Sequence, residues 1–98
     1  MADRHPTTSC AKLDITDDAM APDYLPGHAA LCDPLAMFTN GAACCVELPE
    51  GRILRRVYDL GDGRLKLTAD NPKYETIIVT RASARSIAPA VWKMAPAC

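Results

Sequence analysis

The sequence predicts a mainly β fold, a small and strongly bent sheet or partly open barrel built around one long hairpin. Three observations lead there. No segment holds apolar residues at a 3.6-residue period long enough for an amphipathic helix. Short alternating or β-branched segments recur along the chain, separated by Pro, Gly and Asn turn signals. The stretch GRILRRVYDLGDGRLKLTAD sets two alternating arms on either side of Gly61-Asp62-Gly63, whose glycines can take the positive φ of a tight turn.

Taken in order, residues 1–11 are polar, contain Pro6 and lack periodicity, so they read as a flexible arm or linker remnant ahead of one domain over 12–98. KLDIT is a short alternating segment. DDAMAPDYLPG, with two prolines and a glycine, favours a tight turn or a single helical turn. HAALCD and AACCVELP are strand candidates joined by the loop PLAMFTNG, which ends in an Asn-Gly signal. On the first hairpin arm Ile53, Arg55, Val57 and Asp59 share one face, and Leu54, Arg56, Tyr58 and Leu60 the other. On the second arm Leu65, Leu67 and Ala69 alternate with Arg64, Lys66 and Thr68, so one face should be apolar and one wet. NPKYE is a turn, because Pro72 disfavours helix at Asn71 and cannot donate to a ladder. TIIVT reads as a short buried strand and AVWKM, beyond Pro89, as a closing strand.

Composition narrows the function classes. With 98 residues, 49% of them apolar, one modest core is feasible without metal or disulfides. A net charge of −1, with no long basic block, argues against binding nucleic acid directly. The apolar runs are short and broken, and MADRHPTTSC lacks the apolar core of a secretory signal, so a cytoplasmic protein without membrane contact is expected. The five cysteines show no C-x-x-C spacing, which speaks against a zinc site or a disulfide framework, and no cofactor is expected. Cys44 and Cys45, adjacent in a strand, should point to opposite faces as small apolar residues. His5 and His28 have no partners in register and read as exposed or hydrogen-bonded side chains. Asp17-Asp18, in a Pro-rich turn, reads as solvated or capping carboxylates.

Two ordered pieces of the chain, DDAMAPDYLPGHAALCDP and NGAACCVELPEGRILRRVYDLGDGRLKLTADNPKYETIIV, then carry a family resemblance. They are similar to the Gly-Asp-Ser-Met-x-Pro turn with its following Pro-Gly-Asp, and to the strand, Lys-Arg hairpin and Asp-Asn-Pro turn, of LexA-like self-cleaving repressor domains. Phage CI-type repressors, UmuD-like proteins and, more distantly, signal peptidases belong to the same group. The resemblance covers residues 18–80 and implies a bent β-sheet of the LexA/signal peptidase type.

It also implies a Ser/Lys dyad, in which a desolvated neutral lysine takes the proton of an otherwise weak hydroxyl nucleophile. Carried onto this chain, the nucleophile position falls on Ala19 and the general-base position on Arg55, while Arg56 matches the arginine that follows the family's lysine. Alanine has no oxygen to attack with, and arginine stays protonated. His28 stands where the family has an acid. Relatives cut an Ala-Gly or Cys-Gly bond ahead of the domain, whereas the first glycine here is Gly27 and Cys10 is followed by Ala11.

The expected function is therefore a catalytically inactive LexA-like domain, a dimerisation or regulatory module of a phage or bacterial transcriptional repressor system. DNA would be reached only through a separate helix-turn-helix module. The expected partners are a second copy, meeting through Val91, Trp92 and Met94, and a regulatory protein or peptide in a groove near Met20, Ile53, Arg55 and Val57. Trp92 has the alternative role of closing the core. Two other functions stay open: a self-cleaving Ser/Lys endopeptidase domain in disabled form, with Ala19 substituted for the serine, and a stand-alone peptide- or partner-binding protein.

Overall fold

In the computed structural model, which describes residues 11–95, seven strands form one antiparallel half-barrel sheet without any α-helix. In chain order they are β1 (Ala11–Asp14), β2 (Ala29–Cys32), β3 (Ala42–Leu48), β4 (Gly51–Asp59), β5 (Arg64–Thr68), β6 (Ile77–Thr80) and β7 (Ser86–Met94). Across the sheet they run β1-β2-β7-β3-β4-β5-β6. The predicted arm falls almost entirely on residues 1–10, which, with His5 and Cys10, lie outside the described residues, as does Cys98. No helix among the described residues is long and apolar enough to cross a membrane.

The hairpin forms as its alternation requires. β4 and β5 pair from Arg56↔Thr68 to Asp59↔Leu65, and Leu60 N–H donates to the Arg64 carbonyl at 3.0 Å to close the loop. Gly61 and Gly63 have φ of 83° and 85°, the conformation that motivated the turn. The expectation of one apolar and one wet face holds for β5, where Leu65 and Leu67 are buried, but not for β4. Being interior to a sheet with a core on each side, β4 sends Leu54 into one cluster and Val57 into the other, with Ile53 packed beside Val57.

Those clusters explain the adjacent cysteines. Cys45 joins Ile15, Met20, Ala30, Cys32, Leu54 and Ala88 on one side, while Cys44 joins Val46, Val57, Leu65 and Leu67 on the other. The first cluster is roofed by the turn between β1 and β2, whose ends are tied by Ile15 N–H to the His28 carbonyl (2.8 Å) and Gly27 N–H to the Ile15 carbonyl (3.0 Å). Within it, Tyr24 N–H reaches the Met20 carbonyl at 2.9 Å, a single helical turn that drives Met20 into the core. Removing a buried side chain of that size costs about 2–5 kcal/mol. His28 is hydrogen-bonded, its Nδ1 accepting from Leu25 N–H at 3.2 Å.

Two strand expectations need correcting. TIIVT is largely exposed: β6 is the outermost described strand, beyond β5, Ile77 and Ile78 stay exposed, and Val79 alone of its apolar residues packs against the second cluster. AVWKM is a strand, as expected, but Pro89 does not interrupt the segment ahead of it. It is the second half of β7, which lies between β2 and β3 and runs through Pro89. The proline is tolerated because β7 changes partner there. Pairing with β3 ends at Cys44↔Pro89, and pairing with β2 starts at Cys32↔Ala90, with a register shift beside it. The proline N, which cannot donate, thus sits where one ladder stops and the other begins.

Candidate functional site

The turn that roofs the first cluster also forms one wall of a pocket of about 130 Å³, and the start of β4 forms the other. Leu13, Asp14, Ile15, Thr16, Asp17 and Met20 meet Arg52, Ile53, Leu54 and Arg55 across it. Of the groove candidates, Met20, Ile53 and Arg55 are therefore brought together. Val57 is not: β5 pairs with β4 from Arg56 onward, and Val57 is wholly buried in the second cluster. Upstream of Arg56, β4 pairs only with β3, so residues 51–55 keep one strand edge open.

Ala19 is wholly buried beside Met20, with its N–H donating to Asp17 Oδ1 at 3.1 Å. Its carbonyl accepts from Asn71 N–H at 2.9 Å, and Asn71 Nδ2 donates to the Asp18 carbonyl at 3.1 Å. Asp18 Oδ1 accepts the Tyr74 hydroxyl at 2.7 Å, and Asp18 Oδ2 lies 3.4 Å from Lys73 Nζ. The Met-Ala-Pro turn is thus clamped by the turn after β5. Donation by the Tyr74 hydroxyl holds the Asp18 carboxyl below its ordinary range, and the same bond raises the Tyr74 phenol.

Arg55 is 8% exposed. Its Nη1 donates to the Leu54 carbonyl at 2.8 Å, its Nε is buried without an acceptor, and its guanidinium carbon lies 5.5 Å from the centre of the Tyr74 ring. Neighbouring Arg56 is instead fully engaged. It forks onto Asp70 at 2.8 and 3.0 Å, reaches Asp23 Oδ2 at 3.3 Å and donates to the Gly41 carbonyl at 3.1 Å. It fastens both turns and the loop before β3 to β4.

Chemically, the pocket has one hydroxyl, Thr16, two carboxylates, Asp14 and Asp17, and two arginines, with no serine, histidine or lysine in its lining. A carboxylate is too weak a base to ionise an alcohol, and a guanidinium cannot accept a proton. Asp17 and Asp18 act as the capping and hydrogen-bonded groups expected of a Pro-rich turn.

The three described cysteines are packed in the two clusters. Burial pushes the Cys44 thiol up to about 11, while the hydrogen bond between Cys32 and Cys45 raises Cys32, with burial adding to the rise, and lowers Cys45 to about 7. Val91, Trp92 and Met94 lie elsewhere, on the exposed second half of β7, with Trp92 66% exposed. Trp92 therefore does not close the core.

Asn71, Lys73 and Tyr74 as a clamp on the Met-Ala-Pro turn were missed in the sequence, as were Leu13, Asp14 and Thr16 as pocket walls. The Asp-Asn-Pro turn is visible in the chain, but nothing local says that it meets residues more than fifty positions earlier.

Against known proteins, no curated protein matches the chain. A family model described as peptidase S24-like matches residues 2–91. The matched span takes in β1 to β6, the Met-Ala-Pro turn and the hairpin arginines and ends at Val91 within β7, so the chain belongs to the peptidase S24-like family, the LexA-like group that its ordered motifs resemble.

Proposed function

We propose that this is a catalytically inactive peptidase S24-like domain that works by association, as a dimerisation or regulatory module of a phage or bacterial transcriptional repressor system in the cytoplasm. The observation that carries the reading is the pocket lining. Ala19, at the position of the family's nucleophile, is a buried methyl, and the pocket lined by its neighbour Met20 offers Thr16, two carboxylates and the guanidinium groups of Arg52 and Arg55, with no serine, histidine or lysine. The exposed Val91, Trp92 and Met94 support a symmetric contact between two copies, and a separate helix-turn-helix module would supply DNA binding.

Three measurements test it. Incubation at mildly alkaline pH with mass detection should leave the chain intact, and a fluorophosphonate should label no residue. Ala19→Ser should remain unlabelled, since Arg55 keeps its proton, whereas Ala19→Ser with Arg55→Lys supplies both missing groups. Hydrolysis or labelling of the unaltered chain would establish an active enzyme. Light scattering over a range of concentrations should show a dimer, and a strict monomer would end the dimerisation role.

A second reading, a peptide- or partner-binding protein, is favoured by the open edge of β4 at residues 51–55 beside the pocket. An extended peptide can add to such an edge while its side chains enter the neighbouring cavity.

A further inference from the structure

Arg55 is the one charged side chain among the buried described residues, and none of the ion pairs among those residues includes it. A guanidinium withdrawn from water without a counter-charge is costly, and removing it from solvent is favourable only when an anion or several acceptors complete it. Here its protein acceptor is one carbonyl, that of Leu54, supplemented by the face of Tyr74. Nε has no acceptor.

Neither of the two carboxylates lining the same pocket pairs with Arg55. Asp14 lies 3.6 Å from Lys12 Nζ, and Asp17 Oδ1 caps the Ala19 N–H. Among the described residues the cation at the pocket wall is left over from ion pairing.

We propose that the pocket receives the C-terminal α-carboxylate of a peptide, held by the Arg55 guanidinium. This deepens the peptide-binding reading above and rests on it. Three features select a peptide end over other anions. The pocket, at about 130 Å³, is well below the roughly 300 Å³ at which small-molecule sites begin, so it holds one terminal residue. Its Leu13, Ile15, Met20, Ile53 and Leu54 walls suit an apolar side chain next to the charge. The β4 edge that remains open runs up to Arg55 and ends there, because β5 takes over at Arg56. An extended peptide laid parallel to residues 51–55 thus has its C-terminus beside the cation. Guanidinium and carboxylate are matched in shape for paired hydrogen bonds, which an amide terminus cannot replace.

The test is calorimetric titration of the full chain with an N-acetylated apolar pentapeptide ending in a free carboxylate, and with the same peptide as its C-terminal amide. The acid should bind about tenfold or more tightly than the amide, the scale of one charge-assisted contact. Arg55→Gln should bring the two affinities together, and Arg55→Lys should keep a reduced preference. The Nε–H resonance of Arg55 in the unaltered chain should move with the acid peptide and not with the amide, a readout that does not depend on any variant folding. Equal binding of acid and amide would overturn the carboxylate site while leaving the groove reading standing. Binding of neither would overturn both. An acid preference that survives in a folded Arg55→Gln protein would remove Arg55 from the role.

Discussion

Arg56 meets Asp70 side-on, its Nε 2.8 Å from one carboxylate oxygen and its Nη2 3.0 Å from the other, while the same guanidinium reaches Asp23 and the Gly41 carbonyl. The pair is largely shielded, with side chains 30% and 24% exposed, and the same guanidinium reaches Asp23, in a turn that no strand pairing joins to β4. Lysine in that place keeps the charge and loses the fork. Arg56→Lys should therefore lower stability by about 1–2 kcal/mol, read as a shift of the urea midpoint at constant slope. An unchanged midpoint would show the contacts to be idle.

The Asp18–Tyr74 bond has a pH signature. The folded carboxyl lies below its ordinary value of 3.8, chiefly because the Tyr74 hydroxyl donates to it. A group depressed in the folded state adds stability that is present above its unfolded value and is lost as pH falls through the folded one. The contribution should thus be complete at neutral pH and fade below 3.8. Tyr74→Phe should move the Asp18 carboxyl resonance titration upward towards that value, and a titration unaffected by the substitution would assign the depression to Lys73 instead.

Cys32, Cys44 and Cys45 are free and buried, with the first two raised in pKa. Iodoacetamide at mildly alkaline pH should leave Cys32 and Cys44 unmodified in the folded protein and label them after denaturation, as located by peptide mapping. Rapid labelling of Cys44 under native conditions would contradict its place between β4 and β7.

Trp92 is the only tryptophan of the chain and stands exposed on β7. If two copies meet there, its emission should be that of a hydrated indole in dilute solution and shift to the blue as concentration rises, in step with the mass from light scattering. Trp92→Ala should hold the protein monomeric without altering its unfolding. A dimer that persists unchanged in Trp92→Ala would move the interface to another surface.

How far the fold could be read depended on whether the determining contacts were local. The β4–β5 hairpin was legible because alternation and Gly61 and Gly63 act within a few residues, and the split of Cys44 and Cys45 follows from the pleat alone. The exposure of Ile77 and Ile78 was not legible, since an apolar β-branched run reads the same whether a layer covers it or not. The central place of β7 depends on pairing Cys32 with Ala90, far apart in the chain, and Pro89 locally argued against it. At the site, the family resemblance, carried by a turn and a strand that the sequence shows, pointed to Met20 and Arg55. Val57 was grouped with them by parity, which ignores that β5 begins to cover β4 at Arg56.

The partner change at Pro89 also bears on the order in which the protein is made. By strand pairing, β1 and β2 reach the rest of the sheet only through Ala90–Met94, at the end of the last described strand. A ribosome therefore releases the hairpin arms of β4 and β5, able to pair at once, long before the strand that pairs with β2. The earliest-made part of the sheet is the last to be anchored, and closing a loop of that length is a slow step. Until β7 emerges, β1 and β2 are held to the rest of the fold by side-chain packing and the contacts of the Met-Ala-Pro turn, without a shared ladder.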